Sequence, residues 1–278
     1  MSVVIPARNE AKNIAHVLGA LPQGMHEVIL VDGHSVDDTV AAARRCRSDI
    51  RVVTQSRKGK GNALACGFRA VTGDIIVMID ADGSTAPEEI PDFVASLCRG
   101  ADFAKGTRFA KGGESLDISH VRQAGNAALN ALVNLLFRTR YTDLCYGYNA
   151  FWTDVLPVLD LPETVIPGLG GNDMIYGDGF EIETLMNVRV AAAGLRIAEV
   201  GSVERERLSG ESNLHAVRDG IRVLRTISRE WWTSRRRSTR PPGKPEPQIG
   251  VGRRTAATVD LTTQEMPVHT SAVHRIQS

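Results

Sequence analysis

Asp80 and Asp82 stand two apart, directly after the apolar run 75–79. On an extended segment, residues i and i+2 project to the same side, so these two carboxylates can share one divalent cation and a ribose hydroxyl. Carboxylate oxygens suit Mg²⁺ or Mn²⁺, which also bridge to substrate phosphates. An Asp-x-Asp pair arises roughly once by chance in a chain this long, and taken alone it is an acidic turn. Its setting shifts the balance, because two earlier apolar runs also end in polar groups, Ile5-Pro6-Ala7-Arg8-Asn9-Glu10 and Val31-Asp32-Gly33-His34-Ser35. Arg57, Lys58 and Lys60 surround Gly59 and Gly61 at a predicted helix start. Backbone N–H groups and basic side chains there suit a phosphate; a solvated basic turn fits equally. No Ser or Thr follows a Gly-Lys at Walker spacing.

The elements that must position these groups alternate. Runs 3–5, 28–31, 50–53 and 75–79 are apolar on both faces, as in strands covered by helices on each side. Ile14, Val17, Leu18 and Leu21 recur at helical spacing between the first two. Ser35 followed by Asp38 reads as a capping box for a helix over 36–46. Further helices are predicted over 59–70 and 87–98, with Pro87 suited to a first turn. This pattern predicts an α/β fold: a doubly wound, mainly parallel sheet with helices on both faces and ligands beyond the carboxyl ends of its strands. Later, 101–109 and 145–152 read as strands flanking a helix over 120–138. A helix over 181–193, a strand over 195–203 and a last helix from 213 to about 232 follow.

The chain has 278 residues, 42% hydrophobic and 23% charged, ordinary for a soluble globular protein. A net charge of +1 gives no case for nucleic acid. The basic character is concentrated after 234: residues 235–278 carry eight Lys/Arg against three Asp/Glu, leaving a net −4 for residues 1–234. With Pro241, Pro242, Pro245 and Pro247 close together, that stretch cannot offset its ordering entropy by burying apolar surface. The expected organisation is a catalytic domain over 1–234 and a disordered tail over 235–278. Cys46, Cys66, Cys98 and Cys145 are widely scattered, which reads as reduced thiols in a cytoplasmic protein. The N-terminus shows no signal-peptide pattern and no segment reaches the ~20 apolar residues of a spanning helix.

The ordered set VVIPARNE, VDGHSVDDT, KGKGNA, DADGS and KGTRF resembles the donor-binding half of the family 2 glycosyltransferases of the GT-A fold. DLCYGYNAF, GDGFEIET, LRIAEV and RERLSGESNL resemble later motifs of its polyprenyl-phosphate hexose synthase branch, which includes dolichol-phosphate mannose synthases. The resemblance spans about residues 2–230. It implies a donor pocket of Pro6, Ala7, Arg8, Glu10, Val31, Asp32, Lys60, Asp80, Ala81, Asp82 and Arg108. Asp32 would lie near the base, Asp80 at the ribose, and Asp82, with Asp80, at a Mg²⁺ or Mn²⁺ ion. The chain departs from the pattern at Gly33, where many members have a second aspartate, and at Ser84, where mannose synthases often have Gln.

Asp143, Arg122 and Arg207 complete the candidate set as catalytic residues, with Asp143 the acceptor-side carboxylate and Arg108 a phosphate contact. Asp178-Gly-Phe-Glu181 reads as a capping box, His215 as a surface histidine or a metal ligand, and the glycine-rich 168–171 as a mobile or plain surface loop. Gln123, Asn126, Asn130, Asn134 and Arg138 form a narrow polar stripe on an otherwise apolar helix, a face that suits a membrane interface or a homodimer contact. Leu214, Val217, Ile221, Leu224 and Trp231 mark a second amphipathic helix, ending at Trp231-Trp232 beside arginines as a membrane-surface anchor or as plain core packing.

The expectation is therefore inverting, metal-dependent transfer of a hexose from a UDP- or GDP-sugar to a polyprenyl phosphate, at the cytoplasmic face of a membrane. A soluble acceptor, nucleotidyl transfer and non-catalytic nucleotide-sugar binding are the alternatives.

Overall fold

The computed structural model describes residues 1–116, 118–210 and 216–238, without the side chains of 216, 217, 237 and 238. Its strands are β1 (Ser2–Ala7), β2 (Glu27–Asp32), β3 (Arg51–Thr54), β4 (Ile75–Met78), β5 (Phe103–Thr107), β6 (Glu114–Ser115), β7 (Asn149–Trp152), β8 (Ile197–Gly201) and β9 (Val203–Glu204). Its helices are α1 (Ile14–Gly19), α2 (Thr39–Cys46), α3 (Lys60–Ala70), α4 (Ile90–Cys98), α5 (His120–Phe137), α6 (Leu156–Leu159), α7 (Ile182–Ala192) and α8 (Ala216–Ser238).

Seven strands form one sheet in the order β3-β2-β1-β4-β7-β5-β8. The expected mainly parallel α/β sheet is present, with β1 to β4 mutually parallel and β5 parallel to β8. The period-two alternation of each strand builds two cores. Val3, Ile5, Val28, Leu30 and Val77 enter one, with Ile14, Val17 and Phe93; Val4, Ile29, Val31, Ile76 and Met78 enter the other, with Leu64, Phe68 and Ile182. Strands apolar on both faces need helices on both.

One strand breaks the pattern. β7 runs antiparallel between β4 and β5, with Asn149 opposite both Met78 and Lys105. It is shorter than the predicted strand, since residues 145–148 form the loop that enters it. Because that entry lies at the carboxyl ends of its neighbours, Tyr146 and Gly147 are delivered to the side of the sheet that carries Asp80 and Asp82.

Two predicted capping boxes do not form. α2 begins at Thr39, and the Ser35 hydroxyl instead accepts from the Asn9 N–H at 3.0 Å, tying two strand-end loops together. Asp178 pairs with Arg57, and α7 begins at Ile182. α8 continues to Ser238, so the predicted boundary after 234 falls inside a helix, where Arg235 lies 4.3 Å over the Trp231 ring. The rest of the expected tail, 239–278, and His215 lie outside the described residues.

α5 buries a mixed face, Asn126 and Asn130 together with Val133. Its asparagines face inward and serve the backbone of the returning chain. Asn130 donates to the Thr142 carbonyl at 2.5 Å and accepts from the Leu144 N–H at 2.7 Å; Asn134 does the same for both backbone groups of Tyr141, at 2.8 and 2.7 Å. Each amide replaces a ladder partner that this non-strand segment lacks. Of its apolar residues Val133 is buried and Leu129, Leu132, Leu136 and Phe137 pack against the core around it, while Val121 and Leu135 stand outside, 78% and 76% exposed.

Candidate active site

The carboxyl ends of β1 and β4, the start of α3 and the first turns of α5 and α7 enclose a cavity of about 730 Å³. Eleven of the predicted residues line it: Pro6, Ala7, Arg8, Glu10, Lys60, Asp80, Ala81, Asp82, Arg108, Arg122 and Arg207. Val31, Asp32 and Asp143 do not. Val31 is fully buried core beneath α3, and Asp32 accepts from the Ser35 N–H at 3.2 Å in the turn after β2.

Lys60 enters this cavity because glycines precede and follow it. A Cβ on Gly59 (φ +119°) or Gly61 would lie 2.0 or 1.9 Å from the carbonyl oxygens of Asp178 and Gly177. Only Gly allows so close a backbone approach, and it brings the start of α3 against the loop before α7. The Lys60 ammonium then bridges Asp80 Oδ1 at 2.6 Å and Glu183 Oε1 at 2.7 Å. Burial opposes its charge, but the two carboxylates outweigh burial and raise its pKa, while burial raises that of Glu183. Glu183 is not singled out in the sequence; its signal is its place in the GDGFEIET motif, at the start of α7.

Asp82 has its own partners. Oδ1 accepts from the Ser84 N–H at 3.0 Å and from its hydroxyl at 2.7 Å, and Oδ2 meets Arg207 at 2.8 Å. The same guanidinium holds Glu10 Oε1 at 3.0 Å; Glu10 has its pKa raised by burial. Among the described residues no three acidic, His or Cys side chains converge as a metal cage. Two strand-end carboxylates on a cavity nonetheless fit a hard cation whose other ligands are substrate phosphate oxygens and water.

Three expected contacts are redirected. Arg57 is 1% exposed, bonded to Asp178 at 2.8 and 3.0 Å and to the carbonyls of Glu163 and Thr164, so it fastens a loop instead of binding phosphate. Arg108 touches the cavity but commits its nitrogens to Asp143 at 2.7 and 2.9 Å and to both oxygens of Glu204 at 3.0 Å. Asp143 is fully buried. Burial opposes its charge, yet hydrogen bonds from Arg108 keep its pKa below the usual range, and Asn126 donates to it at 2.9 Å. A carboxylate so enclosed cannot face an acceptor. It positions Arg108.

Away from the donor end, the cavity continues between α5 and α8, past Val121, Leu129 and Val223 and the guanidinium-bearing Arg122, Arg218 and Arg222. A Gly-rich segment, 168–171, is exposed beside it, with Met174 on the cavity wall.

A mainly parallel sheet with paired aspartates at a strand end facing a cavity is the architecture of the GT-A fold. The profile of glycosyl transferase family 2 matches residues 2–156, and the chain belongs to that family as a glycosyltransferase. It is 32% identical over 220 residues to an undecaprenyl-phosphate mannosyltransferase of Micrococcus luteus, covering 76% of this chain and 86% of that protein. An uncharacterised glycosyltransferase of Mycobacterium tuberculosis is also 32% identical, over 214 residues, 77% of this chain and 89% of the relative. The fold matches glucosyl-3-phosphoglycerate synthase of M. tuberculosis, solved with Mn²⁺, UDP-glucose and phosphoglyceric acid, with a TM-score of 0.63 at 23% identity over 83% of this chain and 79% of that one.

Proposed function

We propose that this glycosyltransferase moves a hexose, with inversion, from a nucleoside diphosphate sugar to a polyprenyl phosphate. One observation carries the choice of acceptor. Among the described residues every carboxylate on the cavity wall is paired with a cation: Glu10 and Asp82 with Arg207, Asp80 and Glu183 with Lys60, Glu204 with Arg108 and Asp219 with Arg222. An alcohol acceptor needs a free general base, whereas a phosphate monoester is already anionic near neutral pH. The Micrococcus relative and the apolar, arginine-bearing groove between α5 and α8 support the same choice.

In the reaction a phosphate oxygen of the acceptor attacks the anomeric carbon as the bond to the donor diphosphate breaks, and the nucleoside diphosphate leaves with the bonding pair. Asp80 and Asp82 would hold a Mg²⁺ or Mn²⁺ ion, which offsets charge on the departing diphosphate when bound. Lys60 holds Asp80 aimed into the cavity. Ser84 fixes the rotamer of Asp82. Arg122, on the first turn of α5, stands where the acceptor phosphate would enter.

Among the described residues no helix is long and apolar enough to cross a membrane. The outward face of α5, with Val121 and Leu135, and the exposed Ile221, Leu224 and Trp232 of α8 form the proposed contact with the cytoplasmic membrane surface; a homodimer would cover the same face. The test is transfer of labelled hexose into organic solvent from UDP- and GDP-sugars, with undecaprenyl phosphate or phosphoglycerate as acceptor. Label extracted with the lipid and lost at least ~100-fold in Asp82→Asn supports the reading; transfer to phosphoglycerate alone refutes the acceptor.

A further inference from the structure

Among the described residues the four carboxylates at the proposed donor end, Glu10, Asp80, Asp82 and Glu183, share two cations, Lys60 and Arg207. When all are ionised the group carries two excess negative charges, the charge one divalent ion cancels. The two cations are not equivalent. Lys60 keeps a second buried partner, Glu183, whatever happens at Asp80. Arg207 holds the one oxygen of Asp82 that its own turn leaves open, since Oδ1 is occupied by Ser84.

We propose that Arg207 occupies the cation's place on Asp82 in the unloaded enzyme and exchanges it for the diphosphate of the donor, so that metal entry and guanidinium transfer are one event. The proposal rests on the metal-dependent donor reading above. The backbone around Arg207 is anchored over the aspartate turn: Arg205 N–H donates to the Ser84 carbonyl at 2.8 Å, Leu208 N–H to the Asp82 carbonyl at 3.2 Å, and the Leu208 side chain packs on Gly83. Only the side chain has to move. Its 22% exposure leaves it room, whereas Arg108, 4% exposed and enclosed by Asp143 and Glu204, cannot make such a move. Released from Asp82, the guanidinium keeps Glu10 on Nη1 and has Nη2 to offer beside the cation, a charge-assisted donor for a phosphate oxygen.

Mn²⁺ binding, read from the electron paramagnetic resonance of the free ion, separates the two halves of the exchange. Without nucleotide, Arg207→Gln and Arg207→Ala should bind Mn²⁺ about three- to tenfold tighter than wild type, because the ion no longer competes with an ion pair. The gain should vanish when Asp82→Asn is added. With Mn²⁺ present, the order reverses for UDP or GDP, which wild type should bind about tenfold more tightly than either variant. Unchanged or weaker Mn²⁺ binding in both variants overturns the exchange, as does a gain that survives Asp82→Asn. If no form of the protein binds Mn²⁺ or nucleotide, the exchange falls together with the donor reading; if all forms bind both equally, the exchange alone falls.

Discussion

Asp143→Ala distinguishes a scaffold from a base. As an acceptor-side base, Asp143 would be dispensable for folding and its loss would strike turnover alone. In the structure it accepts three bonds from Arg108, at 3.1, 2.7 and 2.9 Å, and one from Asn126 at 2.9 Å, with no exposure. Removing it leaves a guanidinium that is 4% exposed with Glu204 as its remaining carboxylate and strips Asn126 of its acceptor. Breaking a buried pair from one side costs about 3–5 kcal/mol. In a domain of this size each kcal/mol lowers Tm by about 2–4 °C, so a fall of roughly 6–20 °C is expected. Thermal unfolding by circular dichroism reads it directly, and the Arg108→Ala/Asp143→Ala double variant should lose less than the sum of the singles, since the Arg108–Asp143 pair is then lost once from both sides and only Glu204 is left without its cation. A variant whose Tm stays within 2 °C of wild type (roughly the effect of 1 kcal/mol) while turnover collapses would refute the scaffold and restore the base.

Lys105 gives a pH signature. Burial pulls its pKa down to about 8 from 10.5. The unfolded chain therefore binds this proton first as pH falls, so the residue's contribution is full above 10.5 and declines down to 8, by a few kcal/mol. Denaturant unfolding should show the stability of wild type relative to Lys105→Met rising between pH 8 and 10; a flat difference would contradict it. Val121→Asp and Leu135→Asp alter residues more than three-quarters exposed. Both should leave Tm within about 2 °C and weaken co-sedimentation with anionic liposomes severalfold. Undiminished lipid binding would move the membrane contact elsewhere.

The order of apolar runs and the residues that end them determined the alternating sheet and put Asp80, Asp82 and Glu10 on its carboxyl side, because strand period and chain handedness leave few other solutions. Eleven of the expected residues reach one cavity for that reason. Tertiary structure decided which of them have nitrogens and oxygens to spare. Arg57, Arg108 and Lys60 read identically in sequence as basic side chains near glycines. Only packing shows that Arg57 and Arg108 are committed to Asp178, Asp143 and Glu204, carboxylates distant in sequence, and that Lys60 has Glu183 as its second partner. The same holds for α5. Its periodicity revealed two faces, but which faces solvent was set by residues 139–145, a segment without ladder partners whose backbone polar groups draw the asparagines inward. A side chain's type is local information; whether its charge is already satisfied depends on what the rest of the chain brings to it.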